Sequence, residues 1–297
     1  MNMRMKFRNV VNDGTAMPPR LRMQYNMWAL EKLPRDGEEW TVPQKLDQVV
    51  AAGFGGFEAF STDPAEAEEL RQMLKDRGLG IGFNAFAWTA EDLKPAIEMA
   101  QRMGAGYISA QVFGSLRGAA EITDRLMEMY EVANASLMPL FIETHRGRVT
   151  QDLRRTVKIV RNFGRVRFTG DFSHYIVAGE EGGPWSQELW DHFRPIAERC
   201  GNFHGRIGFG EQVQNDIGDG SGQMAQQFKK LWTLGMAAWL KRSQPGDILP
   251  FCAELGPPLY SITDLNGREI SDRWAQSLVI KRLAEEAWAD AQNELAN

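Results

Sequence analysis

Short apolar runs alternate with longer stretches in which apolar residues recur every three to four positions, from about residue 21 to the end of the chain. The short runs predict strands over 21–28, 56–60, 79–87, 107–113, 138–145, 166–175, 202–207 and 248–255. Helical spacing covers 64–77, 90–103, 150–163 and 187–200, and each of these stretches is followed by a glycine: Gly78, Gly104, Gly164 and Gly201. Glycine just past a helix end supplies the left-handed cap that other residues adopt at a cost. A helix stopped in this way and followed at once by a strand is the grammar of an αβ connection. The last helical stretch, 272–296, presents Trp274, Leu278, Leu283 and Trp288 for docking against the rest of the molecule.

The strand-then-helix unit occurs eight times, which fits an open doubly wound sheet or a closed (β/α)8 barrel. A nucleotide-binding doubly wound sheet carries GxGxxG after its first strand. Here that strand runs into Asn26, Met27, Trp28, Ala29 and Leu30, while the glycines of 53–56 precede the second strand. The pattern therefore predicts an α/β fold, a single (β/α)8 barrel over 1–297 with 1–20 as an N-terminal extension. No linker rich in Pro, Gly or Ser divides it. The longest irregular stretch, 208–222, follows the seventh predicted strand and would overhang the C-terminal face, where barrel active sites lie.

Composition narrows the classes. With 43% hydrophobic and 25% charged residues, the chain is too apolar for disorder. Thirty-four Lys and Arg against 39 Asp and Glu leave a net charge of −5, without the basic surplus of a nucleic-acid binder. No run reaches the roughly 18 apolar residues of a membrane span, and the first residues show no signal-peptide core. Cys200 and Cys252 have no neighbour at CxxC spacing and cannot frame so long a chain with disulfides. These features predict a cytoplasmic protein.

Barrel interiors are built from Val, Ile and Leu, so polar residues at inward strand ends call for a reason. Four consecutive predicted strands end in acids or imidazoles: Glu143 with His145, Asp171 with His174, His204 with Arg206, and Glu254. Three of the four histidines fall in this set, and His192 alone sits on a helix. Three carboxylates and one imidazole suit a divalent ion such as Mn²⁺, with Mg²⁺, Co²⁺, Fe²⁺ or Zn²⁺ as alternatives. The ion would also relieve the mutual repulsion of Glu143, Asp171 and Glu254. His174 and Arg206 read as substrate ligands or as structural partners of a carboxylate, and His145 as either a substrate contact or an orienting partner of Glu143. Gln24, Asn26, Glu58, Asn84 and Gln111 add softer polar groups. Trp28, Phe86, Trp88 and Trp185 either form a platform for a sugar or fill the barrel mouth. Arg146 and Arg148 read as phosphate ligands or as solvated loop residues, and Gln212 and Gln214 are weaker candidates on the long loop.

This arrangement resembles the xylose isomerase-like barrel superfamily, in its sugar isomerase and epimerase branch with the ketose 3-epimerases. The motifs that carry the resemblance run from Ile142 to His145, Asp171 to His174, His204 to Arg206 and Ala253 to Gly256. It implies Glu143, Asp171, His204 and Glu254 as ligands of one Mn²⁺-type ion, and Glu143 and Glu254 as the acid–base pair at the carbon beside a carbonyl. It likewise implies His174 and Arg206 at the substrate. The expected activity is isomerisation or epimerisation of a ketose or related keto-sugar through a metal-stabilised enediolate. The alternative is a lyase or dehydratase acting on a keto-sugar or 3-keto-glycoside, because β-elimination can follow the same deprotonation. DNA-repair endonucleases share the barrel, but four histidines and a charge of −5 argue against that branch. A homo-oligomer, or a different chain covering the mouth, is the expected assembly.

Overall fold

The computed structural model describes residues 7–296. Eight parallel strands follow one another around a closed barrel: β2 (Arg20–Asn26), β3 (Gly56–Ala59), β4 (Gly80–Ala87), β5 (Ile108–Val112), β6 (Leu140–Glu143), β7 (Phe168–Gly170), β8 (Cys200–Gly205) and β9 (Asp247–Ala253). Pairing of β9 with both β8 and β2 closes the ring. A two-residue strand, β1 (Val11–Asn12), lies before the first predicted strand and adds antiparallel to β9. Helices return the chain between strands: α1 (Val42–Ala51), α2 (Pro64–Asp76), α3 (Ala90–Met103), α4 (Ala119–Ala135), α5 (Leu153–Asn162), α6 (Ser173–Ala178), α7 (Gln187–Ala197) and α8 (Gln223–Leu240). The long α9 (Arg273–Ala296) follows β9. Among the described residues no helix is long and apolar enough to cross a membrane.

The core lies between strands and helices. Outward strand residues such as Phe57, Phe203 and Phe251 are buried against the helical layer, where Trp232 of α8 meets Phe251 edge-on at 5.0 Å. The barrel interior is polar for a fold of this kind. Ser109 donates to Thr169 at 2.8 Å, Asn202 to Glu58 at 2.8 Å, and Tyr107 directs its hydroxyl at Gln24 and Glu58. Large interior rings fit because small residues face them: a Cβ on Gly82 would meet the Tyr107 ring at 2.5 Å.

Several expectations need correction. Gly78 and Gly104 have the left-handed φ of a cap (67° and 72°). Gly164 and Gly201 do not, and Gly201 sits inside β8, where a Cβ would strike Phe141 at 2.4 Å. That glycine serves a close approach inside the barrel, and α7 stops earlier, at Ala197. The strand expected over 166–175 ends at Gly170 and turns into α6. In α9, Leu283 is buried and Trp274 and Trp288 pack on the core, but Leu278 is exposed. Trp185 lies away from the mouth, buried against Trp190, Phe193 and Phe228.

The 208–222 segment is held, not loose. Gln214 is buried and exchanges two hydrogen bonds with Gly256, donating to its carbonyl at 2.9 Å and accepting from its N–H at 2.7 Å. Gln214 thereby joins the loop to the end of β9. Cys200 and Cys252 are both free and buried.

Candidate metal centre and active site

Parallel strands in register bring their C-terminal residues to one level. Glu143 closes β6, Asp171 follows β7, His204 is next to last in β8, and Glu254 follows β9. One ligand atom from each of these four lies within 4.8 Å of the others, and all four residues are buried. A second group, Glu143, His145 and His174, meets the same spacing and shares Glu143.

Two atoms of the tetrad, Asp171 Oδ2 and His204 Nδ1, are buried without a hydrogen-bond partner among the described residues. Buried polar atoms rarely stay unpaired. Both have charged neighbours: Arg206 Nη1 lies 3.0 Å from Asp171 Oδ2, and Glu254 Oε2 lies 3.0 Å from His204 Nδ1 without hydrogen-bond geometry. A nitrogen lone pair and carboxylate oxygens converging in this way fit a divalent cation of intermediate hardness.

Glu58 of β3 sets the orientation of the imidazole. Its Oε2 accepts from His204 Nε2 at 2.9 Å, which leaves Nδ1 to face the tetrad. Carboxylates that hold the far nitrogen of an imidazole fix its tautomer at metal centres. Glu58 is itself held by Asn84 (3.0 Å) and Asn202 (2.8 Å). Burial opposes its charge, but His204 outweighs burial and keeps the Glu58 carboxyl below its usual range.

The protein's own groups divide the two glutamates. Burial, reinforced by Glu254 and Asp171, raises the Glu143 carboxyl to about 8 against the opposing pull of His204. Burial acts on Glu254 too, but His204 and Arg206 overcome it and bring that carboxyl to about 2. The hydrogen bonds match this division. Arg206 Nη2 donates to Glu254 Oε2 at 2.7 Å and Asn26 to its Oε1 at 3.3 Å, whereas among the described residues the Glu143 carboxylate receives only Gln111, at 3.3 Å. Burial raises Asp171 against the pull of Arg206. His204 is raised well above the usual imidazole range, because Glu254 and Glu58 outweigh burial.

Glu143 and Glu254 open onto a cavity of about 430 Å³, a size suited to a small ligand. Its wall includes Trp28, Asn84, His145, Arg148, Arg206 and Tyr260. His174 stands behind the wall, fully buried, with its ring 3.7 Å from that of His145. Burial, with His145 and Arg206 nearby, holds the His174 imidazole well below its usual range, and burial brings His145 to about 3. Both are neutral near pH 7. Arg206 is enclosed: besides Asp171 and Glu254 Oε2, it donates to the Glu254 carbonyl at 2.9 Å and lies 3.3 Å from His174 Nε2. Trp88 stacks on Phe113 at 5.0 Å, half exposed on the rim and outside the cavity wall, and Gln212 lies on the exposed part of the long loop.

Tyr260 was not among the residues the sequence singles out. It lies beyond β9 in an irregular segment where no period marks a face. Its hydroxyl is 3.2 Å from His145 Nε2, its ring meets Trp28 edge-on at 5.1 Å, and Arg206 Cζ sits 4.7 Å above that ring.

A closed parallel barrel with a carboxylate–imidazole cluster at its C-terminal mouth defines the class. A sequence model described as xylose isomerase-like TIM barrel matches residues 46–231, more than half of the chain, and the chain belongs to that family. Among solved structures it is similar to a D-psicose 3-epimerase crystallised in the presence of D-fructose (TM-score 0.56, 14% identity, 93% of this chain and 100% of that one). It is also similar to a xylose isomerase-like barrel protein of Mycobacterium smegmatis in complex with magnesium (TM-score 0.53, 14% identity, 91% and 98%). A third is a probable 3-DHS dehydratase of Bacillus anthracis (TM-score 0.53, 12% identity, 88% and 97%). At these identities the likeness is one of fold. No match was found among proteins of curated function.

Proposed function

We propose that this protein is a divalent-metal-dependent isomerase or epimerase of a ketose or related keto-sugar. Glu143, Asp171, His204 and Glu254 hold one ion, with Mn²⁺ the first choice for this donor set. The observation that carries this reading is the pair Glu143 and Glu254: two carboxylates of the tetrad, on strands three places apart around the ring, both open to one cavity. The bound ion would polarise the substrate carbonyl and its neighbouring hydroxyl.

The chain's own groups supply the rest. Glu143 and Glu254, held in environments that push their proton affinities apart, take the proton from the carbon beside the carbonyl and return it. Arg206 fixes Glu254, and Gln111 steadies Glu143. Asn26, Asn84, His145 and Tyr260 offer donors and acceptors to hydroxyls, while Trp28, Phe60 and Phe86 cover the apolar faces of the ring or chain.

A second reading, elimination from a keto-sugar or 3-keto-glycoside, is supported by the exposed aromatic rim. Phe60, Phe86 and Trp88 are each about half exposed beside the cavity, a place for a leaving group larger than water. The test begins with metal content by mass spectrometry. About one Mn²⁺-class ion per chain is expected in the wild type, with most of it lost in Glu254→Gln. Ketoses are then incubated in deuterated water. A stereoisomer carrying carbon-bound deuterium supports isomerisation, and a product lighter by water or an aglycone selects elimination. Absence of both metal and exchange overturns the proposal.

A further inference from the structure

The turn after β6 is built with care around two arginines. Thr150 Oγ1 donates to the Glu143 carbonyl at 2.7 Å and accepts from the His145 N–H at 3.0 Å. The Arg148 N–H reaches the His145 carbonyl at 3.2 Å, and Gly147, at φ 72°, supplies the left-handed residue that the turn needs. The result fixes Arg148 in the wall of the cavity that Glu143 and Glu254 share.

The side chain is restrained as well. Its guanidinium lies 4.4 Å from the centre of the Phe113 ring, and its Nε donates to Gln111 Oε1 at 3.0 Å. Gln111 in turn donates to Glu143 Oε1 at 3.3 Å, so Arg148 is two hydrogen bonds from the glutamate. Among the described residues Nη1 reaches only the Gly147 carbonyl, at 3.3 Å. Among the described residues Nη2 has no acceptor, and no carboxylate pairs with Arg148 (the enclosed Arg206, by contrast, meets two). Arg146, two residues earlier and outside the cavity wall, lies 5.5 Å over the Tyr260 ring, also without an ion pair among the described residues.

A guanidinium held over a ring, with Nη2 unengaged and no ion-pair partner among the described residues, has donors left for an anion.

We propose that the substrate carries a carboxylate or phosphate group that docks on Arg148, while its carbonyl end lies at Glu143 and Glu254. The substrate class is then a keto-sugar acid or a keto-sugar phosphate and not a neutral ketose. The placement of the carbonyl end rests on the function proposed above.

The test is titration calorimetry on the Mn²⁺-loaded protein with inorganic phosphate, tartrate and threitol, the last being the neutral counterpart of tartrate. The better anion should bind at least about tenfold more tightly than threitol. Arg148→Gln should weaken that anion about 10- to 100-fold, the range expected for hydrogen bonds to a charged group, and leave threitol unmoved. Arg148→Lys should lose less, and it keeps the test informative if Arg148→Gln does not fold. Tighter phosphate points to a phosphoester, and tighter tartrate to a sugar acid. Threitol binding as well as the anions, or anion affinity unchanged in both variants, overturns the proposal. Anion binding that disappears in Glu254→Gln but survives in Arg148→Gln places the anion on the metal. That result overturns this inference and leaves the proposed function standing. Arg148-dependent binding in a protein that takes up no Mn²⁺ has the opposite meaning.

Discussion

Both ends of the barrel bury charge, and they satisfy it in different ways. At the mouth, cations meet side-chain carboxylates: Arg206 lies on Asp171 and Glu254, and His204 between Glu58 and Glu254. At the floor, a second cavity of about 450 Å³ is lined by Arg8, Arg165, Arg167 and Arg242. Of these, among the described residues, only Arg8 is ion-paired, to Asp247 at 2.7 Å. Arg242 instead donates to the carbonyls of Glu198, Ala238 and Cys200 at 2.7–2.9 Å, and nearby Arg199 donates to Pro195 at 3.0 Å. Three of those carbonyls belong to the ends of α7 and α8, so the floor guanidiniums close helix C-termini. Burial, with Arg167 and Arg199 nearby, lowers Arg242 only to about 10, so the floor keeps its charge across the neutral range. At the mouth, Glu143, at about 8, and Glu254, at about 2, stand on either side of neutral pH.

The largest effect that would sharpen this contrast is expected from Asp247→Ala. Asp247 is fully buried and accepts from Arg8, Asn12 and the Gln244 N–H. Removing it takes the side-chain acceptor from the Gln244 N–H and Asn12, while Arg8, with 36% of its side chain exposed, can turn to water, and the loss should be about 2–3 kcal/mol of stability in urea unfolding. Mn²⁺ bound per folded chain should stay unchanged, and a parallel loss of metal would break the division between the two ends.

Glu58→Gln tests the other end. It should weaken Mn²⁺ affinity about 10- to 100-fold, the cost of losing an outer carboxylate that orients a ligand imidazole. Unchanged affinity would mean that His204 needs no such guide.

The smallest effect per step is the response to pH. Glu143, at about 8, and His204, raised well above its usual range, both hold protons near pH 7, and a ligand must release its proton to bind the ion. Mn²⁺ affinity should therefore rise with pH, up to about tenfold per unit for each proton displaced, and flatten once both groups are deprotonated. Calorimetry in buffers of different ionisation enthalpy reads the protons directly. Affinity that falls as pH rises through about 8 would contradict this assignment.

All eight barrel strands are legible in the sequence as short apolar runs, and five of them are followed by a helix-spaced stretch, whereas no such stretch marks out α1, α4 and α8. Boundaries are less so. The predicted strand runs past Gly170 because residues 171–176 are buried like β7, and a segment buried on every side shows no period. Gly201 reads as a cap because sequence does not reveal that its missing Cβ makes room for Phe141. At the site, the tetrad is legible because acids and imidazoles are foreign to strand ends. The orienting part played by Glu58 is not, since it depends on a partner 146 positions away. Trp185 misleads for a related reason: a tryptophan suits a core as well as a sugar, and only the packing decides.

The short β1 also bears on how the chain assembles. Arg8 reaches Asp247, the Asn9 side chain bonds both backbone groups of Leu140, and Val11 pairs with Ile248. These contacts span 131 and 239 positions of sequence and join two separate staves of the barrel. A ribosome releases residues 8–12 long before it has made β9, so the earliest of these residues to be synthesised have no complete seat until the last strand exists. Their docking is a seal on the finished cylinder, set only when every stave is in place.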